Sequence, residues 1–168
     1  MTNIAIAKAG KMTINEIARC LPTDVGNQKA KQTRLLRFLD NQLPLDDMML
    51  DWARFALTKA YGKCDDNIII LVDGVSLMYG YKAFVAAISF RKRAIPIAFK
   101  VYTNQQIRDM LYLSENHIVW NFMDIVIDFM KKIMPNRKVI FVFDRGFADE
   151  KLMKYMECFA SDYIIRVR

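Results

Sequence analysis

The sequence predicts an α/β protein in which a helical N-terminal segment precedes a mixed β-sheet. Two observations support this prediction. Apolar residues recur at helical spacing up to about residue 65, whereas short β-branched and aromatic runs begin at residue 68. Three strand-like runs are then followed by a long amphipathic pattern, a fourth apolar run, a short helical pattern and a fifth run. The order expected for this second part is β-β-β-α-β-α-β.

Length and composition limit the classes of protein to which the chain can belong. It has 168 residues, is 54% hydrophobic and 26% charged, and carries a formal net charge of +7. This positive charge fits a polyanionic partner such as nucleic acid, and it also fits a membrane surface or no charged partner at all. Three cysteines without C-x-x-C spacing and a single histidine argue against a disulfide framework or a zinc site. Because no apolar run is long enough to cross a bilayer, we expect a cytoplasmic, chromosome-associated protein without a membrane partner.

The two parts of the chain are expected to meet just after residue 65. Residues 1–65 would form the helical segment, and residues 66–168 would form the sheet domain. Within the first segment, apolar periodicity predicts helices over residues 28–41 and 45–61. The second of these has aspartates near its start and a lysine near its end, the polarity that a helix dipole favours.

The helix predicted over residues 28–41 carries a cluster of basic residues. We expect Leu35, Leu36 and Leu39 to face inward, which leaves the basic side chains at the surface. A solvated charged face is one interpretation of this cluster, and contact with DNA phosphates is the other. The candidate DNA-binding residues of this helix are Lys29, Lys31, Arg34 and Arg37.

The strands of the sheet domain follow from their apolar runs. The run IIILVD, residues 68–73, is continuous and β-branched, which predicts a central strand buried on both faces. Runs over residues 81–90 and 94–103 follow through short links, which favour an antiparallel meander. Pro96 in the last of these is tolerated at a sheet edge. A fourth strand is expected over residues 138–144.

An amphipathic helix predicted over residues 115–134 connects the third strand with the fourth. Such a connection normally gives a right-handed parallel unit. If the fourth strand pairs with the first, Asp73 and Asp144 stand at the ends of strands that lie ~4.8 Å apart. Either aspartate alone is explained by a turn that follows a strand. The pair, in this topology, favours a site where two carboxylates share one or two cations.

These motifs resemble those of the DDE transposases of bacterial insertion sequences, in the branch whose second aspartate lies in D-R-G-F or D-R-G-Y. The segments LVDGVSL and VIFVFDRGF are similar to the two aspartate motifs of that family. RKRAIPIAFKVY resembles its third strand, YIIRVR the strand after the second aspartate, and QTRLLRFLDN its N-terminal helix. The resemblance implies that the second part of the chain is an RNase H-like mixed sheet.

The resemblance also implies DNA cleavage and strand transfer by two-metal phosphoryl transfer. Asp73 and Asp144 would then be catalytic residues and ligands of Mg²⁺, for which Mn²⁺ can substitute. Arg145 would contact a phosphate or hold a helix end, and Gly146 would supply a backbone conformation that other residues resist. The expected partner is DNA at the ends of a transposon. Whether the protein also forms a homodimer is left open by the sequence.

The third catalytic acid of the family, a glutamate in a later Y-x-x-R-x-x-x-E helix, has no counterpart in this sequence. We therefore expect this polypeptide to be inactive in strand transfer by itself. The alternative is a catalytically dead remnant that binds DNA or transposase subunits. A further hypothesis is another RNase H-like nuclease, with Glu115 at the start of the long helix as the third ligand, although the DRGF motif argues against it.

Overall fold

The computed structural model divides the chain into two compact units, Met1–Leu45 and Asp46–Arg168. The last two residues of the predicted YIIRVR strand lie outside the part of the chain that the structure describes. The described residues are 13–22, 26–41, 44–63, 66–109, 111, 114–158 and 162–166.

The first unit contains the helices α1 (Ile14–Arg19) and α2 (Gln28–Asp40). Leu35 of α2 is buried in a small apolar cluster with residues of α1 and the turn after it. Leu36 and Leu39 are exposed, so the prediction that all three leucines face inward is wrong for these two. Within the described residues, the six-residue helix α1 and the turn after it form the apolar cluster around Leu35, and this cluster does not include Leu36 or Leu39.

The second unit is an α/β structure with a mixed, five-stranded open sheet. The five-residue helix α4 after the third strand was not predicted from the sequence. Within the described residues, every helix is too short or too polar to cross a bilayer. The elements of the unit, in chain order, are α3 (Leu45–Tyr61), β1 (Ile68–Ser76), β2 (Tyr81–Phe90), β3 (Arg93–Thr103), α4 (Asn104–Arg108), α5 (Glu115–Ile133), β4 (Val139–Phe143), α6 (Glu150–Glu157) and β5 (Asp162–Ile165).

Helix α3 belongs to the second unit, although the sequence analysis placed it in the N-terminal segment. Its buried residues Ala53, Ala56, Leu57 and Tyr61 form part of the core beneath the sheet. The structural division therefore falls after Leu45 and not after residue 65. Amphipathic periodicity shows that a helix must bury one face, but it does not show which element receives that face.

The strands are arranged in the order β3-β2-β1-β4-β5. β1 pairs with β2, and β2 with β3, in the antiparallel manner that the short links predict. β1 pairs in parallel with β4, as predicted from the helical connection, and β4 pairs in parallel with β5. β3 is an edge strand, which explains how Pro96 is accommodated.

Helices α3, α5 and α6 all contribute to one core on one face of the sheet. In β1, the residues Ile68, Ile70 and Val72 face this core, whereas Ile69 and Leu71 are 41% and 36% exposed. The prediction that β1 is buried on both faces is therefore wrong. The crossovers through α5 and α6 run in the same direction across the sheet, so right-handed connections place both helices on the same side.

The opposite face of the sheet is apolar and exposed. Cross-strand register partners share a face, which assigns the exposed apolar residues of three strands to this side. We call this surface the apolar sheet face. Its exposed large members are Ile69, Leu71, Val75, Phe99, Val101 and Ile164.

Candidate metal and nucleic-acid sites

Asp144 directly follows the end of β4, whereas Asp73 lies within its parallel neighbour β1, which continues to Ser76 instead of ending at Asp73 as predicted. The two aspartates directly follow Val72 and Phe143, which form the last register pair of the parallel β1–β4 ladder. Both aspartates line one cavity of about 370 Å³. Because adjacent strands are ~4.8 Å apart, the structure brings the two predicted aspartates to one place.

The carboxylates of these two aspartates are exposed to solvent. Oδ1 of Asp73 accepts a hydrogen bond from the amide of the next residue, Gly74, at 2.8 Å. Asp144 precedes the 3₁₀ turn Arg145–Phe147, but its side chain accepts no capping hydrogen bond from that turn. A capping role in this turn therefore does not account for the aspartate at residue 144. Carboxylate oxygens in such open positions are the donors that Mg²⁺ prefers.

Glu115, the third ligand of the nuclease hypothesis, lines the same cavity. It accepts a hydrogen bond from the hydroxyl of Tyr102, and the ammonium group of Lys82 lies 3.3 Å from its Oε1. Burial, and then the hydrogen bond to Glu115, raise the pKa of Tyr102. The tyrosine thus remains a protonated donor at neutral pH, and Glu115 is held by partners within the protein.

Across the described ranges, no three His, Cys, Asp or Glu side chains are grouped so that they could hold a metal ion. Glu115 lines the same cavity as the two aspartates, but it is held by Tyr102 and Lys82 and does not complete such a group with them. In β1, strand alternation assigns Asp73 to the side of Leu71 and Val75, on the apolar sheet face. Glu115 begins α5, which covers the opposite face.

Asp149 also lines the cavity and was not singled out from the sequence. It is the N-cap of α6, where its Oδ1 accepts a hydrogen bond from the Lys151 amide at 2.7 Å. Its Oδ2 accepts a second hydrogen bond, from the side-chain amide of Asn116 in α5, at 2.8 Å. Asp149 therefore fixes the start of α6 beside the cavity. An aspartate just before a helical pattern is the signal that could have identified it.

The two residues after Asp144 lie in the 3₁₀ turn Arg145–Phe147. Arg145 is exposed at the start of the 3₁₀ turn, beside the cavity-lining Asp144 and Gly146. The expectation for Gly146 is wrong, because this glycine has no positive φ, and a Cβ added to it would meet nothing within 4 Å. A right-handed 3₁₀ turn uses backbone angles that other residues adopt without strain.

Three of the four predicted basic residues of α2 line one groove of about 640 Å³. They are Lys29, Arg34 and Arg37, and Thr33 lies between them. Lys31 does not line this groove and is half-buried. The groove therefore has three cationic side chains and lies wholly within the first unit.

Comparison of the chain with protein-family models gives no match, and comparison with curated proteins gives no significant match. The transposase resemblance therefore stays a prediction. The functional interpretation rests on the residues described above and on their arrangement.

Proposed function

We propose that the second unit is the RNase H-like core of a phosphoryl transferase of the DDE transposase type, acting on DNA. Asp73 and Asp144 hold its Mg²⁺ ions. The observation that supports this most strongly is the pair of exposed aspartates, which directly follow the last register pair of two adjacent parallel strands and line one cavity. Nothing in the turn after β4 requires an acid at residue 144, whereas a shared cation requires one there.

The donor chemistry of this pair fits magnesium. Mg²⁺ takes oxygen ligands and keeps several waters, so two carboxylates and a substrate phosphate satisfy much of its coordination. When bound, such ions activate the attacking hydroxyl and stabilise the leaving oxygen of a phosphodiester. The contribution of the protein is to hold Asp73 and Asp144 at fixed spacing on packed strands. Arg145 is exposed one residue after Asp144, and we assign it to contact with a neighbouring phosphate.

No third carboxylate of the described residues is grouped with this pair so that the three could hold a metal ion. Asp73 is assigned to the apolar sheet face, so a helix packed over that face could bring an acid to it. The transposase resemblance implies such an acid in a later helix. By itself, this polypeptide is therefore proposed to bind metal and DNA without efficient catalysis.

Metal binding tests the carboxylate pair directly. We expect Mn²⁺, detected by electron paramagnetic resonance, to bind the protein and to be displaced by Mg²⁺. Asp73→Ala and Asp144→Ala should each weaken binding about tenfold or more, because partners outside the ligand shell alone are typically worth that much. Asp128→Asn is the matched control, since Asp128 is an exposed carboxylate that pairs with Lys132 at 2.7 Å in α5. Equal Mn²⁺ affinity in the wild type and both alanine variants would contradict the proposal.

A second candidate function is DNA binding without catalysis, and the basic groove of α2 favours it. Three phosphate contacts would make log K fall with log salt at a slope of roughly −2.7. We expect duplex DNA to bind weakly, with little sequence preference. Combined replacement of Lys29, Arg34 and Arg37 by glutamine should remove most of that slope, whereas Lys31→Gln, off the groove, should change it little. The measurement is a fluorescence titration of labelled duplex at several salt concentrations.

Two results would count against this binding function. One is the absence of duplex binding even at low salt. The other is an unchanged salt slope in the triple variant, which would place the phosphate contacts elsewhere on the molecule.

A further inference from the structure

A groove of about 380 Å³ separates the outer surface of α3 from the end of the β2–β3 hairpin. Neither the carboxylate pair nor the basic groove of α2 contributes to it. We call it the aromatic groove. The lining residues that matter here are Trp52, Phe55 and Lys59 from α3, and Phe90, Arg91 and Ile95 from the hairpin.

Two aromatic rings on α3 are exposed in this groove. Trp52 is 48% exposed and Phe55 is 56% exposed, and their ring centroids lie 5.8 Å apart. The indole N–H of Trp52 donates a hydrogen bond to the carbonyl of Pro96 at 2.6 Å, which fixes the ring. The core contact of α3 is made by its other side, through residues such as Leu57, so these rings are not needed for packing.

The charges around the rings are positive. The Lys59 ammonium lies 6.0 Å from the ring centroid of Phe55, and the Arg91 guanidinium lies 5.2 Å from that of Phe90. None of the described residues that line the groove is acidic, while the nearby Asp51 is paired with Arg54 at 3.5 Å. Exposed ring faces combined with cations match the two parts of a nucleotide, a flat base and a phosphate.

The two cationic residues of the hairpin loop have an unusual backbone conformation. Arg91 and Lys92 have φ values of 50° and 64° and form the two-residue loop between Phe90 and Arg93. Two-residue hairpins with two positive φ values favour Asn-Gly, which adopts them with little strain. Two long cationic side chains stand here instead. Strained residues of this kind cluster at functional sites.

We propose that the aromatic groove binds single-stranded nucleic acid. An unpaired base stacks on Trp52 and Phe55, while Lys59 and Arg91 contact the flanking phosphates. Nothing described in the groove distinguishes ribose from deoxyribose, so the ligand is defined by its unpaired bases and its backbone charge. An apolar protein segment fits less well, because it would leave both cations without a counter-charge. The inference goes beyond the proposed catalytic core, because it needs neither metal nor the pair Asp73 and Asp144.

The test uses the full chain without divalent metal. Labelled oligo(dT) and oligo(U) are titrated by fluorescence anisotropy, beside an abasic strand of the same length. We expect both base-carrying strands to bind and the abasic strand to bind more weakly. Base stacking should also quench the fluorescence of Trp52. Phe55→Ala should weaken oligo(dT) binding about tenfold, within the range known for removal of one stacking ring, and should leave abasic binding unchanged. Phe55→Tyr should retain affinity.

A variant of the hairpin loop separates charge from folding. The double substitution Arg91→Asn with Lys92→Gly removes both cations but installs the residues that this turn favours, so the fold should be at least as stable. We expect weaker oligo(dT) binding and a salt slope that is smaller by about 0.7 for each phosphate that the variant no longer neutralises. Lys131→Gln with Lys132→Gln removes the same charge from the end of α5 and should leave the affinity nearly unchanged.

Three results would overturn the proposal. The first is no binding of single strands at low salt. The second is oligo(dT) affinity that stays at the wild-type level in both Phe55→Ala and the loop variant. That result would favour a protein segment as the ligand of the aromatic groove. The third is an equal decrease in the α5 control, which would show attraction by net charge alone. Failure of the Mn²⁺ experiment would not affect these measurements, since no metal is present in them.

Discussion

The wild-type polypeptide, incubated with plasmid and labelled duplex DNA in Mg²⁺ or Mn²⁺, is expected to give no efficient nicking or strand transfer. Asp73 and Asp144 line one cavity, but no described acid forms with them a group of three that could hold a metal ion. Loss of one positioned metal ion removes either activation of the nucleophile or stabilisation of the leaving oxygen. Each effect is worth several kcal/mol, so the rate should fall by orders of magnitude.

The acids of α6 do not substitute for the missing carboxylate. Glu150 pairs with Lys154 at 2.6 Å, and Glu157 accepts a hydrogen bond from the hydroxyl of Tyr163 at 3.2 Å. Robust nicking that disappears in Asp73→Ala but persists in the Asp128→Asn control would contradict this prediction. It would show that the third ligand comes from within this chain.

Phe122→Ala is expected to destabilise the second unit by about 3–5 kcal/mol, the usual cost of deleting a buried phenylalanine ring. Phe122 has no exposed surface and stacks on Phe84 with ring centroids 6.4 Å apart. The variant should leave a cavity between α5 and the sheet. Urea unfolding followed by tryptophan fluorescence measures the change, because Trp52 and Trp120 both lie in the second unit.

Phe99→Ala is the matched control for this experiment. Phe99 lies on the apolar sheet face and is 42% exposed, so its replacement should cost clearly less than that of Phe122. Equal destabilisation by the two variants would contradict the one-sided core, because it would show that the apolar sheet face is covered in solution.

The sequence predicts those features of the fold that depend on local pattern or on chain connectivity. The bounds of α3 were predicted, since its dipole-matched charges and its periodicity agree over the whole element. The parallel pairing of β1 and β4 follows from the handedness of helical connections. The joint position of Asp73 and Asp144 depends on this pairing, and it could therefore be predicted.

The features that were wrongly predicted depend on which surfaces meet. A continuous apolar run such as IIILVD indicates a strand, but its composition does not reveal that only one face is covered. The side of the sheet that α5 and α6 occupy becomes clear only when the strand order is known. Gly146 was wrongly interpreted because a glycine in a turn suggests a special backbone that this 3₁₀ turn does not require.

The aromatic groove could not be found from the sequence. Its two halves are α3 and the β2–β3 hairpin, which are separated by the whole of β1 along the chain. Trp52 and Phe55 resemble ordinary core residues of an amphipathic helix until their exposure is known. From the sequence alone, the basic run Arg91–Arg93 favours a solvated turn, with contact to the DNA backbone as the less favoured interpretation.

Both edges of the sheet hinder the addition of a strand from another molecule. In β3, Pro96 has no amide hydrogen, and its carbonyl accepts a hydrogen bond from the indole N–H of Trp52. The register between β3 and β2 also shifts beside Pro96. At the other edge, β5 has only four residues, and its Asp162 forms an ion pair with Lys138. Prolines, bulges, charges and short strands are the features that keep sheets from joining edge to edge. Amyloid-like growth through these edges is therefore disfavoured, even though one face of the sheet exposes several large apolar side chains.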